Sequence, residues 1–319
     1  MQNIRLQNIE FLRFLFAIII VLYHGGFATT DAYLAVEMFL VLAGYFLALS
    51  MERNPEVKSI VFIKNKWFRL WPLFAFAVIL GGGNLYDLFF KLFFLHATGI
   101  TLKYKTFIWF VGPFFWGMLF YFWVIKYFNL KKRIFVIAII TYMAYVYLIN
   151  YDNGNLNIRN TVNLGFSLAM LRSLAGIGLG ILLYHIFQVL TISNTQNKIR
   201  FVIISLVEIG IMFFFVDYMV FEHLKYDNKF IFVMFFAIEL FLFINCQGIL
   251  SKVLNNKYCG ALGKYAYAIY IMQALGFKLA EKINFGSVLV NQLLIIISLG
   301  VIGYHFIENP IYKKWRIKE

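Results

Sequence analysis

Apolar runs of roughly 20 residues, separated by short polar breaks, recur along the whole chain, and this one pattern leaves few folds open. A helix that crosses a bilayer needs about 20 predominantly apolar residues. Ten candidate runs lie near residues 9–27, 33–51, 69–85, 107–128, 134–150, 164–190, 200–218, 230–250, 261–280 and 287–307. The third is the least regular. Gly81-Gly82-Gly83 interrupts it, and the stretch from Tyr86 to His96 is amphipathic, a pattern suited to the membrane interface. The expectation is an all-α, polytopic membrane bundle of about ten transmembrane helices, with residues 1–319 forming one membrane domain.

Composition excludes the main alternatives. Only 14% of the residues are charged and 62% are hydrophobic, whereas soluble domains carry about 25% charge. A secreted disulfide scaffold, a disordered chain and a nucleic-acid-binding domain are all excluded. The net charge of +14 therefore calls for no nucleic acid. It follows topology instead: with the N-terminus inside, 18 of the 29 Lys and Arg residues fall in inner segments and 8 in outer ones. That asymmetry puts both termini in the cytoplasm and requires an even number of spans. Cys246 and Cys259 flank a stretch read as cytoplasmic, so no structural disulfide is expected. No cleavable signal peptide is evident, because the first apolar run carries Arg13 and no small-residue cleavage pattern follows.

Ionisable groups inside spans are costly and default to functional candidates. Arg13 and His24 lie eleven residues apart in the first run. Eleven helical steps of ~100° end about 20° past three full turns, so the two share a face about 16 Å apart along the axis. The bland alternative is an Arg13 that snorkels to the headgroups and an interfacial His24 beside Tyr23. Glu37 opens the second run, with twelve residues between it and His24. A hairpin could bring this carboxylate to the imidazole and set its tautomer, or Glu37 could simply favour a helix N-terminus. In KNKWFRLWP, Lys66 and Arg69 lie one turn apart, as a phosphate site would need or as topology alone would place them. Arg172, mid-run among small residues, needs an anionic or carbonyl partner, and Glu208 and Glu239 are candidates. His96, His185, His223 and His305 sit nearer run ends and read as structural. No metal motif, nucleophile elbow, P-loop or dinucleotide fingerprint occurs, so no metal is expected.

Taken together, the motifs resemble those of the membrane-bound acyltransferase family 3, bacterial O-acyltransferases of surface glycans. The resemblance runs the length of the chain: Arg13-x10-His24, EMFLVLAGYFL from Glu37, KWFRLWP from Lys66, WFVGPFFWGMLFY from Trp109, LGKYAYAIYIMQ ending at Gln273, and FIENP around Glu308. The departures are Lys66 for the first Arg of an Arg-x-x-Arg pair, Ala43 where Ser is common, and no acid after Trp109. Gln273 stands where a His often ends the penultimate span.

The resemblance implies a multi-pass enzyme of the bacterial inner membrane, in contact with membrane lipid. Its donor would be cytoplasmic acetyl-CoA and its acceptor a hydroxyl of an extracytoplasmic glycan or lipid-linked sugar. Lys66 and Arg69 would hold the CoA phosphates, with Arg13 further in. His24, oriented by Glu37, would be the general base, or the nucleophile of an acyl-histidine route. Trp109 and Arg172 would contact substrate. A transporter of an acyl group or glycan also fits ten spans with buried charge, although the matched internal repeats common in transporters are absent. A glycan polymerase or ligase would need larger outer loops. Acyl length, acceptor and oligomeric state are open at this point.

Overall fold

The computed structural model describes residues 6–100, 108–151, 156, 162–163, 166–190, 198–221, 229–283 and 286–317. His223 and six of the Lys and Arg residues counted for topology (Arg5, Lys103, Lys105, Arg159, Lys225 and Lys318) lie outside them.

The fold is an all-α, multi-span membrane bundle. In chain order its helices are α1 (Gln7–His24), α2 (Ala35–Arg53), α3 (Ser59–Gly81), α4 (Leu85–Leu92), α5 (Val111–Tyr127), α6 (Leu130–Tyr151) and α7 (Leu168–Val189). There follow α8 (Lys198–Val216), α9 (Phe230–Ile244), α10 (Ile249–Val253), α11 (Lys257–Gly263), α12 (Ala266–Ala280), α13 (Val288–Gly303) and α14 (Asn309–Trp315). A two-residue antiparallel pair, Val162–Asn163 with Phe166–Ser167, precedes α7.

The expected count of about ten spans is corrected to six. Among the described residues, the helices long and apolar enough to cross a membrane are Gln7–His24, Thr30–Arg53, Leu130–Tyr151, Leu168–Val189, Lys198–Phe221 and Val288–Trp315. Apolar runs of similar length in the sequence do not become helices of similar length. Helices α9 and α12 have 15 residues each. At 1.5 Å per residue each covers about 22 Å, short of a hydrocarbon core of about 30 Å. Helix α5 stops at 17 residues. Helix α3 has 23, but Lys64, Lys66 and Arg69 occupy its first half.

The amphipathic stretch after α3 forms only the eight-residue α4, which is too short to span. Gly82 and Gly83 end α3 with φ of 71° and 145°, left-handed values that suit glycine. Asn84 then caps α4 by accepting the Asp87 N–H. None of α4 is buried, and Leu85, Tyr86 and Phe89 stay exposed.

The core is built around the crossing of α2 and α7. A Cβ at Gly44 would fall 1.9 Å from the Ile177 carbonyl oxygen, and one at Gly180 would fall 2.0 Å from that of Val41. Gly176, one turn before Gly180, admits Leu40 in the same way. Small residues at this spacing let two helix backbones approach closely, the usual means of helix association in lipid.

Both chain ends sit at one end of the bundle. The Gln7 N–H donates to Asn255 Oδ1 (3.1 Å), and Asn8 Nδ2 donates to the carbonyls of Phe243 (2.7 Å) and Ser251 (3.0 Å). The last described residue, Ile317, is held by Asn65: its N–H reaches Oδ1 at 2.8 Å, and its carbonyl accepts from Nδ2 at 3.1 Å. At the opposite, far end, the Thr29 N–H donates to the Met219 carbonyl and Lys229 pairs with Asp31 at 2.6 Å.

Candidate active site

A cavity of about 540 Å³ runs into the bundle from the end that holds the chain termini. At the mouth its lining includes Glu10 and Arg13 of α1, Asn65, Lys66 and Arg69 of α3, and Tyr312 and Ile317 of the C-terminal segment. Leu42, Ala43, Phe46 and Phe114 make the middle apolar, and the lining ends at Ile20, Val36 and Phe110. From Arg13 to Ile20 is seven residues, about 10 Å along the helix. A cationic mouth above a narrow apolar throat suits a molecule with an anionic head and a slender, weakly polar arm.

The cations at the mouth are held but not sealed. Arg13 Nη1 donates to both carboxylate oxygens of Glu10 at 3.2 Å, one helical turn away. Arg69 Nε meets Glu308 Oε1 at 3.3 Å, and its guanidinium lies 5.5 Å from the Tyr312 ring. Lys66 Nζ is 5.5 Å from the Phe62 ring. Arg13 and Arg69 keep 28% and 37% of their side-chain surface exposed, enough to meet a ligand as well as a carboxylate. Glu308 is buried and its Oε2 has no hydrogen-bond partner. The C-terminal segment closes one side of the mouth: Trp315 stacks on Phe68, and Arg316 lies over Tyr312.

His24 ends α1 at the far end and stays partly exposed. It is four residues, one turn, beyond Ile20, and therefore one turn past the cavity's last lining residue on that helix. Its Nδ1 lies 2.9 Å from Oε1 of Gln273 on α12. An amide oxygen only accepts, so Nδ1 carries the hydrogen and Nε2 keeps its lone pair. Helix α13 also closes on this end, where a Cβ at Gly25 would meet Gln292 Oε1 at 2.6 Å.

Glu37 does not supply the contact to His24 that the sequence reading placed there. Its Oε1 accepts from Arg172 Nε on α7, and both side chains are buried. Arg172 also donates from Nη2 to the Tyr33 carbonyl at 3.2 Å, and its guanidinium lies 5.2 Å from the Tyr33 ring and 5.3 Å from the Trp109 ring. Buried charge is retained where it is paired and hydrogen-bonded, and Glu37 is close enough in space though 135 residues away in the chain. Glu208 and Glu239, the partners considered for Arg172 from sequence, lie elsewhere. Glu208 accepts the N–H groups of Gly248 and Ser251, and Glu239 is buried. Neither Arg172 nor Trp109 lines the cavity.

The structure thus gathers Arg13, Lys66 and Arg69 around one mouth, sets His24 beyond the opposite end, and ties Glu37, Arg172 and Trp109 into a separate buried clamp. His96 stacks on Phe74 with Nε2 3.3 Å from the Ile108 carbonyl, and burial pushes its imidazole down to about 4. His305 meets the Tyr265 hydroxyl at 3.0 Å. Among the described residues no group of three or more His, Cys, Asp or Glu is placed to hold a metal ion. A search for charges in apolar runs passes over Gln273, which is neutral. The family resemblance did mark it, but only as a departure, an amide where a His often ends the penultimate span.

Fold and site define a multi-pass membrane protein with a cation-lined cavity at one end and an amide-paired histidine at the other. Residues 6–312 match the sequence model described as an acyltransferase domain, and the chain belongs to that family, whose members transfer acyl groups at a membrane. Membership agrees with a multi-pass place in the bacterial inner membrane. No curated protein and no solved structure matches the chain.

Proposed function

We propose that this chain, acting as a single membrane domain, is an O-acetyltransferase. It moves an acetyl group from cytoplasmic acetyl-CoA to a hydroxyl of an extracytoplasmic glycan or lipid-linked sugar. The observation that carries the reading is the cavity itself. It begins among Arg13, Lys66 and Arg69 and ends one turn short of His24. The three cations suit the phosphates of the donor. The apolar throat suits the pantetheine arm, whose thioester would arrive near His24. The acceptor hydroxyl approaches from the far end, where His24 is partly exposed.

His24 Nε2 takes the hydroxyl proton as the oxygen attacks the thioester carbonyl carbon. The C–S bond then breaks, and the CoA thiolate recovers that proton. The Arg172–Glu37–Trp109 clamp holds α2 and α7 together behind the reacting groups.

The test is transfer of radiolabelled acetate from acetyl-CoA to cell-surface glycan, wild type beside His24→Ala. Label on glycan in the wild type alone is the expected result. Full labelling in the His24→Ala protein would remove the base. No label in either, with native glycan present, would remove acetyl-CoA as donor.

A further inference from the structure

Gln273 is fully buried, and one side of its amide is engaged while the other is not. Oε1 meets His24 Nδ1 at 2.9 Å, whereas Nε2 has no hydrogen-bond partner. A buried donor left unsatisfied is costly and uncommon. A methionine of similar length would fill the same space without that cost, so the amide hydrogens call for an acceptor that arrives with a ligand. Their position says which part of the ligand. Gln273 lies three residues beyond Tyr270 on α12, just as His24 lies four beyond Ile20 on α1, and both Tyr270 and Ile20 line the cavity. The pair therefore stands one turn past the throat on two adjacent helices.

We infer that Gln273 is a further catalytic residue that works with both ends of its amide: Oε1 fixes the His24 tautomer, and Nε2 donates to the oxyanion of the acyl-transfer step. The inference rests on the acyltransferase reading above. As the acceptor oxygen bonds to the thioester carbon and its proton passes to His24 Nε2, the carbonyl electron pair moves onto oxygen. Gln273 Nε2 donates to that oxygen. The pair then returns to re-form the carbonyl, the C–S bond breaks, and the thiolate takes the proton from His24. One rigid amide thus sets the distance between the base and the developing negative charge, the preorganisation on which such stabilisation depends.

The experiment compares Gln273→Glu and Gln273→Met with wild type in detergent, in steady-state acetyl transfer over a range of pH. Glu keeps an acceptor for Nδ1–H but has no amide donor. Its kcat should fall about 10²–10³-fold, the loss seen on removing one oxyanion donor, with the KM for acetyl-CoA within about twofold of wild type. Its acid limb should move to higher pH, because a carboxylate beside the imidazole favours the protonated ring. Met should lose at least as much kcat without that shift. Wild-type kcat in either variant, or a loss confined to KM, would overturn the inference.

Carbethoxylation of His24 by diethyl pyrocarbonate, followed by peptide mass spectrometry, reads the contact without turnover. The pH midpoint should rise in Gln273→Glu, and an unmoved midpoint would overturn the pairing. A wild type that transfers no acetyl overturns the functional reading and the oxyanion role with it, and carbethoxylation then decides the pairing alone.

Discussion

Arg172 of α7 is ion-paired with Glu37 of α2, and neither side chain reaches solvent. Removing one partner leaves a buried, uncompensated charge, which costs about 3–5 kcal/mol in well-studied cases. Glu37→Ala and Arg172→Ala should each lower the unfolding temperature in detergent sharply, and Glu37→Gln with Arg172→Met should recover much of the loss. A double variant no more stable than the worse single would show that the two do not act as a pair.

The crossing of the same two helices makes a second, independent prediction. Gly180→Ala drives a methyl group toward the Val41 carbonyl and should destabilise by about 1–3 kcal/mol, the usual cost of overpacking. Gly210→Ala on α8 is the control, because its added Cβ would meet nothing within 4 Å. That change should be neutral or mildly stabilising through helix propensity. Equal melting temperatures for the two variants would argue against the close approach.

At the mouth, Arg69→Ala should raise the KM for acetyl-CoA by about tenfold, the loss of one charge-assisted contact of ~1.5 kcal/mol, and leave the KM for acceptor nearly unchanged. Arg69 also balances buried Glu308, so the single variant should be less stable as well. Adding Glu308→Gln should restore stability and leave the KM high. Recovery of both would assign Arg69 a purely structural role.

The pH profile tests His24 directly. A protonated imidazole cannot take a proton, so acetyl transfer should fall toward acid pH as the ring is protonated. The measurement is kcat between pH 5 and 8 with chemistry shown to be rate-limiting. A flat profile would count against His24 as the base.

Much of this was legible in the sequence because helical geometry is local. Arg13 and His24 could be put on one face at two levels from a residue count alone, and the structure places Arg13 at the cavity mouth and His24 past its end. Lys66 and Arg69, one turn apart, could be grouped for the same reason. Partner choice across the bundle was not legible. Glu37 is near His24 in the chain, yet it folds onto Arg172, and no periodicity links residues 37 and 172. The number of spans was misjudged because hydropathy does not show where a helix stops. Residues 230–250 read as one apolar run, but α9 ends at Ile244 and the chain turns through Asn245 and Cys246, with Cys246 at φ 48°.

Ile317 lines the cavity while its backbone is clasped by Asn65. A small environment-sensitive dye attached at exposed Arg316, beside Ile317, would therefore sit at the cavity mouth and act as an occupancy sensor. The same dye on the Gly25–Gly26 turn would report only events at the opposite end. Two labels on one molecule could then time the arrival of the two substrates separately, without following the chemistry at all.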